Sequence, residues 1–331
     1  MHLALDEDVI IPEVLSNTRL IHRLIRLMSA RMAIPVLRAS GSDHAAVATI
    51  GWLHRAHLPT TDFPPAFVDG GIASWPLLAW HAPLYFFPCL EQRGLLYLPL
   101  LFHEFGHILY AVHKPEQDNL VGELQQAVAA RLLPASRRND PHAAHQAAER
   151  QAIVDTWYGW AQELFCDALG FTVGGPCFLH AFASHLSRLE AGDYYQSPEV
   201  LRAGEHPVTM LRIQFLLRRA RNSGFMKLAD DVGAIWSVIG VGLGVIEDYH
   251  GFYMPSLDGP IEAILDDMLT VASPRPVTPQ EAAGDGWDPA TDSPVRLFNR
   301  AWSMKLALPE TYDRWEQSEI VRWSTAGEDT V

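Results

Sequence analysis

Apolar positions along this chain fall into runs of helical period, interrupted by proline and glycine. Val14, Leu15, Ile21, Leu24, Ile25, Met28 and Met32 recur at helical spacing, with Arg19, Arg23 and Arg26 among them, and predict an amphipathic helix over 13–33. A basic amphipathic helix can lie on a membrane, but packing against a core is the commoner outcome. Residues 59–88 differ: short apolar runs sit between prolines, which predicts loops and short strands and confines any sheet to this region. Pro115 ends the next helical pattern. Helices are then expected over 119–133, over 142–169 with Gly170 closing it, and at about 176–190, 207–222 and 226–249. Residues 273–295 are rich in Pro, Gly and Asp without a period and read as a long loop or linker. The acidic run from Asp285 to Asp292 lacks the full ligand spacing of a calcium loop. The Gly-rich run at 240–244 has no supporting strand or acidic residue for nucleotide binding, and suggests close helix packing. The pattern as a whole is that of a mostly helical α+β protein with a small sheet.

One helical run has a composition that packing alone does not explain. Between Leu98 and His113 the chain is apolar nearly all round, yet it carries His103, Glu104 and His107. On a helix His103 and His107 stand one turn apart on one face, the spacing that one metal ion needs, with Glu104 beside them. Neutral imidazoles at about 2.0–2.1 Å suit Zn²⁺, and a catalytic zinc keeps one position open for a water that Glu104 can deprotonate. Three unpaired polar groups on a buried helix would otherwise carry an uncompensated desolvation cost. The expected cofactor is therefore one Zn²⁺ per chain.

Charge and cysteine content narrow the remaining classes. A formal net charge of −14 over 331 residues argues against nucleic acid as a partner, because phosphate binding requires a basic face. Cys89, Cys166 and Cys177 form no C-x-x-C pair and no disulfide framework. The acidic start lacks the features of a secretory signal, and no apolar run reaches the length of a membrane span, so the expected location is cytoplasmic.

A catalytic zinc needs a third protein ligand, and two candidates compete. His113 falls where the pattern H-E-x-x-H-x-x-G-x-x-H places its last histidine, but the turn glycine of that pattern is Tyr110 here, for which a left-handed conformation is costly. Glu163 is the other. Asp167 lies one turn after it, placed to accept the second ring N–H of a zinc histidine, while Cys166 between them reads as core. The order of "HEFGH", "ELFCDALG" and "EHPVTMLR" resembles the gluzincin metallopeptidases, most closely the HtpX-like and CAAX prenyl endopeptidase group, over about residues 94–220. The resemblance implies a zincin-like catalytic domain with the small sheet beside the H-E-x-x-H helix. It implies zinc on His103, His107 and Glu163, Asp167 behind the ligands, Glu104 as general base, and His206 and Arg212 as catalytic groups. Members of that group commonly carry transmembrane helices, which this chain lacks, so a prenylated or membrane substrate is not expected. The expected organisation is an N-terminal helical region (1–60), the zinc metallopeptidase domain (61–272), the loop or linker (273–295) and a C-terminal segment (296–331). The expected activity is endopeptidase action on protein or peptide substrates. A regulatory protein that keeps the metal site, and a metal-dependent amidase for a small molecule, are the alternatives; the intact Glu104 favours an enzyme.

Overall fold

A computed structural model describes residues 44–63, 66–69, 71–76, 83–88, 94–132, 143–188, 201, 204, 206–242 and 249–328. The expected helix over 13–33 lies outside the described residues. Within them the protein is mostly helical with one three-stranded sheet. The helices are α1 (His44–Ala56), α2 (Leu101–Val112), α3 (Lys114–Leu132), α4 (Ala143–Gly174), α5 (Pro176–Leu186), α6 (Thr209–Asn222), α7 (Met226–Gly242), α8 (Asp258–Ala272), α9 (Pro279–Ala283), α10 (Pro294–Ala307) and α11 (Pro309–Glu328).

The strands lie in the proline-punctuated region, as its short apolar runs suggest: β1 (Ala66–Asp69), β2 (Ala73–Trp75) and β3 (Leu84–Phe87). Their order is β1-β3-β2, with β1 parallel to β3 and β2 antiparallel to it. All four residues of β3 are buried, which is why its run does not alternate. Edge strand β2 packs on α2, where the Ser74 hydroxyl donates to the Glu104 carbonyl at 3.0 Å.

The long helix α4 is the hub on which α2, α3, α5, α6 and α8 pack. The main apolar core runs from Ala45 on α1 to Tyr312 on α11, and Leu84 and Phe86 of β3 form a small separate cluster. The chain after residue 296 belongs to it: Trp302 Nε1 donates to the Leu96 carbonyl at 3.0 Å, and Glu316 accepts the Leu95 N–H at 2.6 Å.

Helix α5 ends at Leu186 rather than at about 190, and three further boundaries differ from the expected ones, each for a local reason. Gly170 does not close α4; a Cβ there would sit 2.5 Å from the Phe178 ring, so it is a contact glycine inside the helix. The helix ends instead at Gly175, whose φ of +59° suits glycine. Helix α3 begins at Lys114 rather than 119, because Pro115 fits a first turn, where its missing N–H costs nothing. Helix α6 begins at Thr209, two residues after Pro207, with Val208 extended before it.

Residues 273–295 contain the short helix α9. Thr278 and Glu281 form a capping box, Arg275 pairs with Glu281 at 2.7 Å, and the Val277 N–H donates to Thr172 of α4 at 2.8 Å. The close approach expected at 240–244 is seen at Gly240, where a Cβ would lie 2.9 Å from the end of Met210. Among the described residues no helix is long and apolar enough to cross a membrane.

Candidate metal centre

The site forms where α2 crosses α4. Helix α2 buries nine of its residues, His103 and Glu104 among them. Helix α4 meets it with Glu163, Cys166 and Asp167, at positions i, i+3 and i+4, which share one face. Gly106 makes the crossing close: a Cβ there would stand 2.9 Å from Cys166 Cα. The glycine of "HEFGH" thus has a packing reason, since any side chain would push the two halves of the site apart.

Both α2 histidines turn an ε nitrogen towards Glu163. His103 Nε2 lies 3.4 Å from Oε2 and His107 Nε2 lies 3.5 Å from Oε1. Two donors on one tetrahedral ion with bonds of about 2.0–2.1 Å stand about 3.3–3.4 Å apart; each histidine–carboxylate distance is close to that, and the two run to different oxygens of Glu163. Glu163 Oε2 is buried without a directed hydrogen bond, and its charge is met by Arg212 at 3.2 Å and by His103. Behind the ligands, His103 Nδ1 contacts Asp167 Oδ1 at 2.9 Å, a charge contact lacking the directed geometry of a full hydrogen bond. Asp167 takes a two-pronged grip from buried Arg212, at 2.8 Å from Nε and 2.7 Å from a terminal nitrogen. The guanidinium also stands 3.2 Å from Glu163 and lies over the Phe182 ring, which stacks on His103.

A second donor set shares both histidines. The ligating atoms of His103, His107 and Cys166 all lie within 4.8 Å of one another. The sulfur, however, meets His107 at Nδ1, at 3.4 Å, on the side of the ring away from Glu163. An ion on the ε side of both rings would meet Glu163 and have Asp167 behind His103, whereas one on the δ side of His107 would meet the thiol.

The electrostatics follow from two carboxylates in a dry crossing. Burial alone would raise Glu163 and Asp167, but His103 and Arg212 outweigh it and hold both below the usual carboxylate range. Burial pushes the His103 ring down; Asp167 and Glu163 reverse this and raise it to about 10. His107 falls to about 4, through burial and then the neighbouring charge on His103. Glu104 is pushed up by burial, with His103 opposing the shift. Burial pushes the Cys166 thiol well up, and Glu163 and Asp167 add to it.

His206 sits in a bend before α6 with its side chain 59% exposed and Nε2 3.5 Å from Glu163 Oε2. With His103, Glu104, Phe182, His185 and Arg212 it lines a cavity of about 110 Å³. His185 has no motif around it to signal this position and reaches the cavity only because α5 folds back beside α2 and α4. Helix α2 continues through Tyr110 to Val112, and His113 caps its end outside the cluster. A larger groove of about 620 Å³ lies between α4 and 276–283. It is mainly apolar, and its one charged lining residue, Arg219, is paired with Asp266 at 2.7 Å.

Comparison with protein-family models, with curated proteins and with solved structures finds no match to this chain.

Proposed function

We propose that this chain is a zinc-dependent endopeptidase of zincin-like architecture, with one Zn²⁺ held by His103, His107 and Glu163. The observation that carries this reading is the approach of two ε nitrogens to one buried carboxylate at 3.4 and 3.5 Å, with Glu104 on the same cavity wall. The order of the three motifs, similar to the HtpX-like gluzincins, supports the same assignment. Bound there, zinc supplies Lewis acidity, lowering the pKa of a coordinated water towards about 7 and polarising a carbonyl.

The protein's own groups supply the rest. Glu104, buried and raised above the usual carboxylate range, accepts the proton of the attacking water and returns it to the leaving amine. Asp167 holds the δ nitrogen of His103, leaving its ε nitrogen as the donor, and Arg212 fixes Asp167 and Glu163 together. Arg212 is a positioning residue, since its nitrogens face the two carboxylates. His206, at the exposed mouth, is placed to donate to the oxygen that gains charge as the carbonyl is attacked. Leu100 and Phe182 keep the cavity wall apolar, which strengthens each of these interactions.

A metal-dependent amidase for a small molecule is the second reading. The cavity's volume of about 110 Å³, below the roughly 300–1,000 Å³ usual for small-molecule sites, argues against it. The zinc-loaded protein, incubated with a complex peptide mixture and read by mass spectrometry, separates the two. An endopeptidase releases new internal termini that disappear with Glu104→Gln. Their absence, with zinc bound, contradicts the endopeptidase reading.

A further inference from the structure

The two site histidines are built in parallel. Each directs its ε nitrogen at Glu163 and its δ nitrogen at a different residue of α4: Asp167 for His103, and Cys166 Sγ, at 3.4 Å, for His107. Glu163, Cys166 and Asp167 occupy one face of one helix, so a single element meets all four ring nitrogens in register. The sulfur is fixed from the other side by Gly106, beside His107 on α2, whose missing Cβ would lie 3.0 Å from it. Cys166 is fully buried, and the side-chain partner its sulfur meets is that ring nitrogen.

We propose that Cys166 is the positioning residue of His107: its sulfur accepts the Nδ1–H and so leaves the Nε2 lone pair directed at the metal, in the place that Asp167 takes beside His103 Nδ1. A neutral imidazole carries one N–H, and holding it on Nδ1 is what makes Nε2 a ligand. Sulfur is a weak acceptor, so His107 is held less firmly than His103. The exposures agree, the His107 side chain being 27% exposed against 8% for His103. This inference rests on the zinc reading above. Its rival is direct ligation by the thiol, which requires His107 to bind through Nδ1 and leaves Glu163 out.

The test uses the full chain. Zn²⁺ affinity, measured by competition with a chromophoric chelator, should fall about tenfold in Cys166→Ala, the lower end of the range for losing a group behind a metal ligand. Cys166→Ser keeps an acceptor and should restore most of that loss, which a purely space-filling role does not predict. Cobalt(II) loaded into the parent should show no sulfur-to-cobalt charge-transfer band. Where Cys166→Ala does not fold by circular dichroism, the serine variant and the cobalt spectrum decide. Three results overturn the proposal. Zinc binding equally tight in parent and Cys166→Ala removes it alone and leaves the zinc reading standing. A charge-transfer band that vanishes in Cys166→Ser makes the thiol a ligand. A parent that binds no zinc removes both inferences together.

Discussion

Two pairs of histidines, three of the four rings buried and His107 partly exposed, lie on either side of α2. His54 in the last turn of α1 and His57 just after it pack on Phe105, with ring centroids 5.2 and 4.7 Å from it. Phe105 lies two residues from both His103 and His107, so the site pair points from the other side of the helix. Both pairs have helical spacing and apolar surroundings, and they differ in what their nitrogens meet. His54 contacts the Thr60 carbonyl at 3.3 Å and the Tyr85 hydroxyl at 2.9 Å. His57 donates to the Leu53 carbonyl at 2.7 Å and accepts the Arg275 N–H at 3.0 Å. Every partner there is neutral, and burial lowers both rings, His54 to about 4. His103 and His107 face Glu163, Asp167 and a thiol instead. Histidine spacing and burial are common to a satisfied core and a metal site; anionic donors at the ring nitrogens separate them.

Glu104→Gln gives the largest expected effect. It should keep zinc and lower turnover by about 10²–10⁴, the usual contribution of a general acid–base group. His54→Gln should leave turnover per folded molecule unchanged. Steady-state kinetics with metal analysis checks both, and equal turnover in parent and Glu104→Gln would remove the proposed base.

The α1 pair should instead control stability. The folded-state pKa of His54 is lowered to about 4 from 6.5, so as pH falls protons bind the unfolded chain first. Its contribution is full above pH 6.5, is lost progressively between 6.5 and about 4, and is level below that. The total is about 3 kcal/mol. Urea unfolding of parent and His54→Gln at several pH values should show the gap between them shrinking across that window. A constant gap would contradict the burial argument.

A smaller effect is expected behind the ligands. Asp167→Ala should weaken zinc by about 10- to 100-fold. His57→Ala should leave zinc affinity unaltered, whatever it does to the melting temperature. If both variants bind zinc like the parent, the contrast between the two pairs loses its chemical content.

The parts of the site that a single helix determines were legible in the chain. His103 with His107, and Glu163 with Asp167, each stand one turn apart, and one turn of helix fixes their relative direction. The location of the small sheet was legible from prolines and short apolar runs, though its order β1-β3-β2 was not, because register depends on partners distant in sequence. Gly170 shows where local signals fail: a glycine that ends a helix and one that admits Phe178 look alike in sequence. The Cys166–His107 contact and the place of His185 come from helices crossing, and no spacing along the chain encodes them. Pro115 and Pro207 marked real boundaries, Pro115 lying inside the first turn of α3 and Pro207 two residues ahead of α6.

Zinc content after purification and dialysis tests the central claim most directly, measured on the parent, Glu163→Ala, His113→Ala and His57→Ala. The account predicts about one zinc per chain in the parent and in the His113 and His57 variants, and a fall to background in Glu163→Ala. A parent without zinc, or a Glu163→Ala protein that retains it while His113→Ala loses it, would contradict the account.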